Sequence, residues 1–282
     1  MQIIELIKAV IIGVIQGITE WLPVSSTGHM LLFDEFVKLD VSPEFMDFFL
    51  VSIQLGSILA VLVLFFEKLN PFSRKKTREE QKGTYSLWLH IIVGCIPAAV
   101  IGVLFEDLID ELFYSSGYAY VVVAIALLVY GIAFILIEHV REKHRSANRV
   151  ENVGNIGYRD ALLIGCFQIL ALIPGTSRSG STVLGACLLG VSRPAAAEFS
   201  FFMAMPVMAG ASLLKGLKFL SVGVAMTTNE IGVLVIGTFT AFLVSLVAIR
   251  FLMDFVRRHS FAIFGWYRIV LATAVLLYFT IN

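Results

Sequence analysis

The sequence predicts an all-α polytopic membrane protein made of two inverted-topology repeats, each with three transmembrane helices and one re-entrant helical hairpin. Three observations carry this reading. Of 282 residues, 58% are hydrophobic and only 15% are charged, a composition suited to lipid as solvent. The apolar residues form two sets of four segments: Leu6 to Phe33, Phe45 to Phe66, Leu87 to Phe105 and Tyr118 to Ile137, then Ala161 to Leu189, Ala195 to Leu220, Ile231 to Ile249 and Phe261 to Phe279. Lys and Arg crowd into a few of the loops between them. The formal net charge of zero gives no reason to expect a nucleic acid partner.

In order along the chain, the start Met1-Gln2-Ile3-Ile4-Glu5 lacks a basic n-region and no small-x-small site follows it, so no removable signal peptide is expected. The first segment is broken by the polar run Pro23-Val24-Ser25-Ser26-Thr27-Gly28-His29. The next three read as plain crossings, with no charge in Leu55 to Phe66 or Val121 to Ile137. The fifth segment is broken by Pro174-Gly175-Thr176-Ser177-Arg178-Ser179-Gly180, and three more crossings follow. Gly13-Val14-Ile15-Gln16 before Pro23 is echoed by Gly165-Cys166-Phe167-Gln168 before Pro174, one residue shorter. The chain therefore reads as one integral membrane domain, 1–282, duplicated over about 5–138 and 158–281. Cys95, Cys166 and Cys187 lie in apolar segments without metal-type spacing and are expected as buried free thiols.

Loop charge sets the orientation, because short cytoplasmic loops retain Lys and Arg. The loop Glu67 to Ser86 holds Lys68, Arg74, Lys75, Lys76, Arg78 and Lys82, and the linker after Glu138 holds Arg141, Lys143, Arg145 and Arg149, so both are expected inside. The acidic loops Asp34 to Asp47 and Glu106 to Gly117, with Ser221 to Glu230, which has no basic residue, are expected outside. If the fifth segment crossed, Arg193 and the group Arg250, Arg257 and Arg258 would fall outside, against the rule. A segment that dips in from the cytoplasm and returns restores every later loop. By the repeat, the first segment dips in from the outside. Three crossings per copy turn the second copy upside down and bring the two broken helices together near the midplane, where irregular backbone is tolerated only around a cavity.

Such a cavity has a chemistry. Gln16 and Glu20 are four apart and share a helix face, which aims the Glu20 carboxylate at the turn from Ser25 to Gly28. Ser25, Ser26 and Thr27 precede a short helix expected to start near Gly28, where hydroxyls cap and free N–H groups bind anions. Thr176 to Thr182 repeats the pattern and adds Arg178, whose fork of donors suits a phosphate. Both turns look built for phosphoryl groups, although the same features would also serve Na⁺ or a carboxylate in a transporter. Gln54, Ser52 and Ser57, with Glu198 and Ser200, read as polar groups that either support the site residues from behind or hydrogen-bond between helices.

The runs Gln16-Gly17-Ile18-Thr19-Glu20, Leu22-Pro23-Val24-Ser25-Ser26-Thr27-Gly28-His29 and Pro174-Gly175-Thr176-Ser177-Arg178-Ser179-Gly180, in this order, resemble the undecaprenyl-diphosphate phosphatase family of bacteria, the bacitracin-resistance type. The resemblance implies hydrolysis of undecaprenyl diphosphate to undecaprenyl phosphate and inorganic phosphate, recycling the lipid carrier for peptidoglycan, and bacitracin resistance when the enzyme is abundant. It implies a multi-pass protein of the plasma membrane, a polyprenyl diphosphate and membrane lipids as its partners, and a divalent cation, Mg²⁺ or Ca²⁺; a homodimer is left open. Carried onto this chain, the acidic motif falls on Gln16 and Glu20, the serine and histidine motif on Ser25, Ser26, Thr27 and His29, and the arginine motif on Arg178. Many members have Glu where this chain has Gln16, and an amide is the weaker metal ligand.

The expected mechanism is in-line attack by Ser26 on the terminal phosphorus, with His29 as the rival nucleophile. Glu20 orients the cation or accepts the serine proton, and His29 protonates the leaving phosphate or holds an oxygen. Arg178 and the turn Thr176, Ser177, Ser179 and Gly180 carry transition-state charge, as Ser25, Thr27 and Gly28 do on the first hairpin, at about 3 kcal/mol per well-placed donor. Access is expected from the outer face. The phosphatidic-acid phosphatase type is disfavoured, because Ser177-Arg178 is not followed by a His at the required spacing. A lipid flippase or secondary transporter is the remaining alternative, and metal-dependent phosphate release separates it from an enzyme.

Overall fold

In a computed structural model of the protein, residues 3–114, 118–144, 148–221 and 226–281 are described. Met1, Gln2, Gly117 of the expected acidic loop, Arg145 of the basic linker and residues 222–225 lie outside them. The broken first segment becomes α1 (Ile3–Thr19) and α2 (Ser26–Asp34), followed by α3 (Pro43–Leu64) and the single turn α4 (Phe66–Leu69). Next come α5 (Arg78–Leu104), the short α6 (Glu106–Ile109) with a π-turn, and α7 (Ala119–His144). The fifth segment becomes α8 (Tyr158–Ile169), a 3₁₀ turn at Leu170–Leu172 and α9 (Arg178–Leu188). The chain closes with α10 (Arg193–Ser221), α11 (Thr228–Arg258) and α12 (Ala262–Ile281). Six of these helices, α3, α5, α7, α10, α11 and α12, are long and apolar enough to cross a membrane. The protein is a multi-pass membrane protein. Exposed apolar residues recur at helical spacing on its outer faces, as Ile125, Val129, Ile132 and Leu136 do on α7.

Local sequence explains the starts of two crossings. Thr77 and Glu80 form a reciprocal capping box at α5, as do Thr227 and Glu230 at α11. Helices meet closely at glycines, as expected where lipid offers no hydrophobic drive. A Cβ on Gly13 of α1 would lie 2.6 Å from the Gly237 oxygen of α11, and one on Gly165 of α8 would lie 2.1 Å from the Gly94 oxygen of α5.

Both short helix pairs turn back on themselves. At the first, the Glu5 carboxylate near the start of α1 accepts from the Asp40 N–H at 2.9 Å, and Lys8 donates to the Lys38 carbonyl, so the chain returns past α2 to where it began. At the second, Arg149 donates to Asp160 at the start of α8 and to the Leu189 carbonyl at the end of α9. The two open at opposite ends of the bundle. The first opens beside Ser42, which donates to Glu230 at the start of α11, and the second beside Arg193 at the start of α10, which pairs with Glu138 in the last part of α7.

Three expectations are corrected. The one-residue shortening between glutamine and proline does not extend to the turn: Gln16 and Gln168, Ser25 and Ser177, and Gly28 and Gly180 all stand 152 positions apart, and only the prolines differ in position. The short helices start at Ser26 and Arg178, earlier than the glycines suggested, because Ser25 and Ser177 are the caps. Cys166 is exposed, whereas Cys95 and Cys187 are buried.

Candidate active site

The tips of the two hairpins share one backbone solution. Ser25 has φ +73° and Ser177 φ +71°, the only non-glycine residues with positive φ among those described. Each accepts a hydrogen bond on Oγ from the glycine N–H three residues on, Gly28 or Gly180, at 3.2 Å. A left-handed serine costs on the order of 1–2 kcal/mol and persists where surrounding contacts impose it. Here the result is a sharp turn into each helix. The N–H groups of Ser26 and Thr27, and of Arg178 and Ser179, are left without intrahelical acceptors at the positive ends of α2 and α9.

An ion pair brings the two tips together. Arg178 Nη2 donates to Glu20 Oε1 at 3.1 Å, and the two side chains are 11% and 8% exposed. Glu20 Oε2 accepts from Gln16 Nε2 at 2.9 Å, Arg178 Nη1 donates to the Ser200 carbonyl at 2.8 Å, and the guanidinium lies 5.8 Å from the Trp21 ring centre. Arg178 Nε and Trp21 Nε1 are buried without partners among the described residues. Two orphaned donors beside an arginine mark a place for an anionic or watery guest. Ser179 donates to the Leu22 carbonyl at 3.2 Å and lies 3.1 Å from Ser177 Oγ, which ties the second tip to the first.

His29 is fixed at both nitrogens. Nδ1 lies 2.7 Å from the Ser25 carbonyl, which can only accept, so the ring proton sits there and the Nε2 lone pair accepts from Tyr267 Oη at 2.7 Å. The Tyr267 ring lies parallel to the imidazole within 9°.

The other predicted residues are placed as follows. Ser26 is half-buried, and its hydroxyl has no hydrogen bond to another described residue. Thr27 is exposed, so only its N–H faces the helix start. Thr176 is buried, and its carbonyl faces Arg268. Of the groups read as secondary, Glu198 pairs with Lys68, Ser200 accepts from Thr182, Ser57 accepts from Ser245, and Gln54 donates to its own helix at Leu50.

Three participants were missed. Arg268, fully buried on α12, donates to Pro23, Gly175 and Thr176 carbonyls at 3.0, 2.8 and 2.6 Å. The last apolar segment was read as a plain crossing, yet an arginine in its middle was the available signal. Tyr267 adjoins it. Trp21, fully buried against Phe201, carried no polar signal at all.

The Glu20 carboxylate fits a hard cation, since Mg²⁺ is commonly held by one or two carboxylates plus substrate phosphates; Gln16 turns its amide N–H to Glu20, so its carbonyl would join a cation there once the amide turns over. Among the described residues no three His, Cys, Asp or Glu side chains converge, so a cation here would draw part of its shell from the substrate.

A family described as "Bacitracin resistance protein BacA" matches residues 9–274. The chain is 52% identical over 278 residues to the undecaprenyl-diphosphatase of Enterococcus faecalis, covering 99% of both chains. It is 56% identical over 278 residues to undecaprenyl-diphosphatase 1 of Clostridioides difficile, covering 99% of this chain and 97% of that one. It is 52% identical over 283 residues to undecaprenyl-diphosphatase 1 of Clostridium acetobutylicum, covering the whole of both.

Proposed function

Because the chain belongs to the bacitracin resistance protein BacA family, we infer that it is a membrane undecaprenyl-diphosphatase. It hydrolyses undecaprenyl diphosphate to undecaprenyl phosphate and inorganic phosphate, which returns the lipid carrier to cell-wall synthesis. One observation carries the assignment of the site: the Glu20–Arg178 pair joins the acidic motif of one hairpin to the arginine motif of the other.

In our mechanism, the terminal phosphoryl group takes Arg178 from Glu20 and lies across the free N–H groups at the starts of α2 and α9. Ser26 Oγ attacks the terminal phosphorus in line, the phosphorus–bridging oxygen bond breaks, and undecaprenyl phosphate leaves. The serine proton passes to Glu20, or to His29 Nε2 once the Tyr267 hydroxyl that occupies its lone pair has turned away. Water then hydrolyses the phosphoserine and releases phosphate. A divalent cation, Mg²⁺ or Ca²⁺, held by Glu20 and the Gln16 carbonyl, would neutralise diphosphate charge. Ser25 and Ser177 serve as caps that hold the turns open; the other turn residues, Thr27, Gly28, Thr176, Ser179 and Gly180, act through their backbone.

We also propose that the halves are inverted copies in the plasma membrane, with the first hairpin opening outward. The constant offset of 152, the matched turns and the opposite mouths of the hairpins support this. The basic residues of Glu67 to Ser86, which favour the cytoplasmic side, support this orientation. The test is phosphate release from undecaprenyl diphosphate by purified protein in detergent, with and without chelator. Chelator-sensitive release by wild type, lost in Ser26→Ala with folding intact, is the expected result. No release with any divalent cation refutes the assignment and favours a transporter.

A further inference from the structure

Arg268 is an unusual object: a guanidinium with no exposure, on a membrane-crossing helix, that forms no ion pair among the described residues. Its partners are three carbonyls and the face of Tyr130, 5.3 Å away. Its Nε is buried and has no partner among the described residues. A charge held this way is costly, and in membranes such residues are kept for function.

Its contacts have a pattern. Pro23 and Gly175 each stand two residues before the left-handed serine of their own tip, 152 positions apart. Nη1 takes the first carbonyl at 3.0 Å and Nη2 the second at 2.8 Å. One planar fork therefore grips the same point on both hairpins. The Thr176 carbonyl, on the peptide that leads into Ser177, is drawn to the same Nη2 at 2.6 Å. Because a trans peptide points its C=O and N–H in opposite directions, holding the Thr176 carbonyl aims the Ser177 N–H away from Arg268. Close fit is required as well, since a Cβ on Gly180 would lie 2.7 Å from Nη1.

We propose that Arg268 is the positioning residue of the diphosphate site. It locks the two tips in register so that the free N–H groups of α2 and α9 converge, and it leaves an uncompensated positive charge behind them that only an anionic guest balances. Lysine keeps the charge but has no planar fork to span both carbonyls, so Arg268→Lys separates bridging from charge.

The kinetic arm of the test rests on the phosphatase reading; the binding arm does not. Pyrophosphate is the probe in the second, read as the concentration that half-maximally raises the thermal midpoint of purified protein. In Arg268→Lys we expect both the KM for undecaprenyl diphosphate and that pyrophosphate concentration to rise by about 100-fold, the cost of misplacing groups by about 1 Å. Arg268→Gln should lose more. Tyr130→Leu, which removes the π-face but keeps the arginine, should raise both severalfold and covers the case in which the Arg268 variants do not fold. A folded Arg268→Lys or Tyr130→Leu with a lowered thermal midpoint but unchanged KM and pyrophosphate response overturns the proposal and leaves Arg268 a packing residue. Wild type without phosphatase activity but with a pyrophosphate response that Arg268→Lys abolishes refutes the enzyme and retains the positioning role. Wild type with neither activity nor a pyrophosphate response overturns both.

Discussion

Replacing Arg178 with methionine tests whether the pair that joins the hairpins is only structural. The variant keeps a long apolar side chain but removes the guanidinium that lies over Trp21 and leaves the Glu20 carboxylate, 8% exposed, without its cation. Removing one partner of a buried pair costs about 3–5 kcal/mol. The Gln16 amide still donates to Glu20, so the low end, about 3 kcal/mol, is the expectation. Adding Glu20→Gln removes the stranded charge, and the double variant should recover most of that loss, which appears as a coupling energy of about 2 kcal/mol in a double-mutant cycle. Activity should behave differently. A lost charge-assisted donor to the transferring phosphoryl group removes about 3 kcal/mol from the transition state, or roughly 10²-fold in kcat, and Glu20→Gln cannot restore it. Thermal unfolding in detergent reads the first quantity and phosphate release the second. Stability effects that simply add, or activity that returns together with stability in the double variant, would refute the reasoning.

Other outcomes follow from the same geometry. Ser25→Gly should leave stability within about 1 kcal/mol of wild type or raise it, because glycine relieves the positive φ and caps nearly as well. Ser25→Ala keeps the strain, loses the bond from Gly28 and should cost about 1 kcal/mol; equal thermal midpoints for the two variants would contradict this. Tyr267→Phe removes the hydroxyl that orients His29 Nε2 and should lower kcat about tenfold with KM unchanged, whereas a rise in KM alone would place His29 outside the chemistry. Gln16→Glu supplies a second carboxylate and should lower the half-activating Mg²⁺ concentration about tenfold; no change would remove position 16 from the cation site.

The sequence by itself determined the solvent, the six crossing helices and the two polar runs that make up the candidate site. Segment length, charge-free stretches and loop charge depend on bilayer thickness and ion solvation, which need no partner residues to be read. Polar runs at Ser25 to His29 and Thr176 to Gly180 were visible because such groups are costly in lipid, and the tertiary structure does bring them together. Which atom bonds which was beyond it. Whether Glu20 pairs with Arg178, that Ser25 and Ser177 are caps in a left-handed turn, and that Tyr267 holds His29 are distances between residues far apart in the chain. Arg268 shows the boundary most clearly. Its charge within an apolar helix was legible, but a guanidinium can satisfy itself in many ways, and only the packing of α12 against both hairpin tips made the carbonyls of Pro23 and Gly175 its partners.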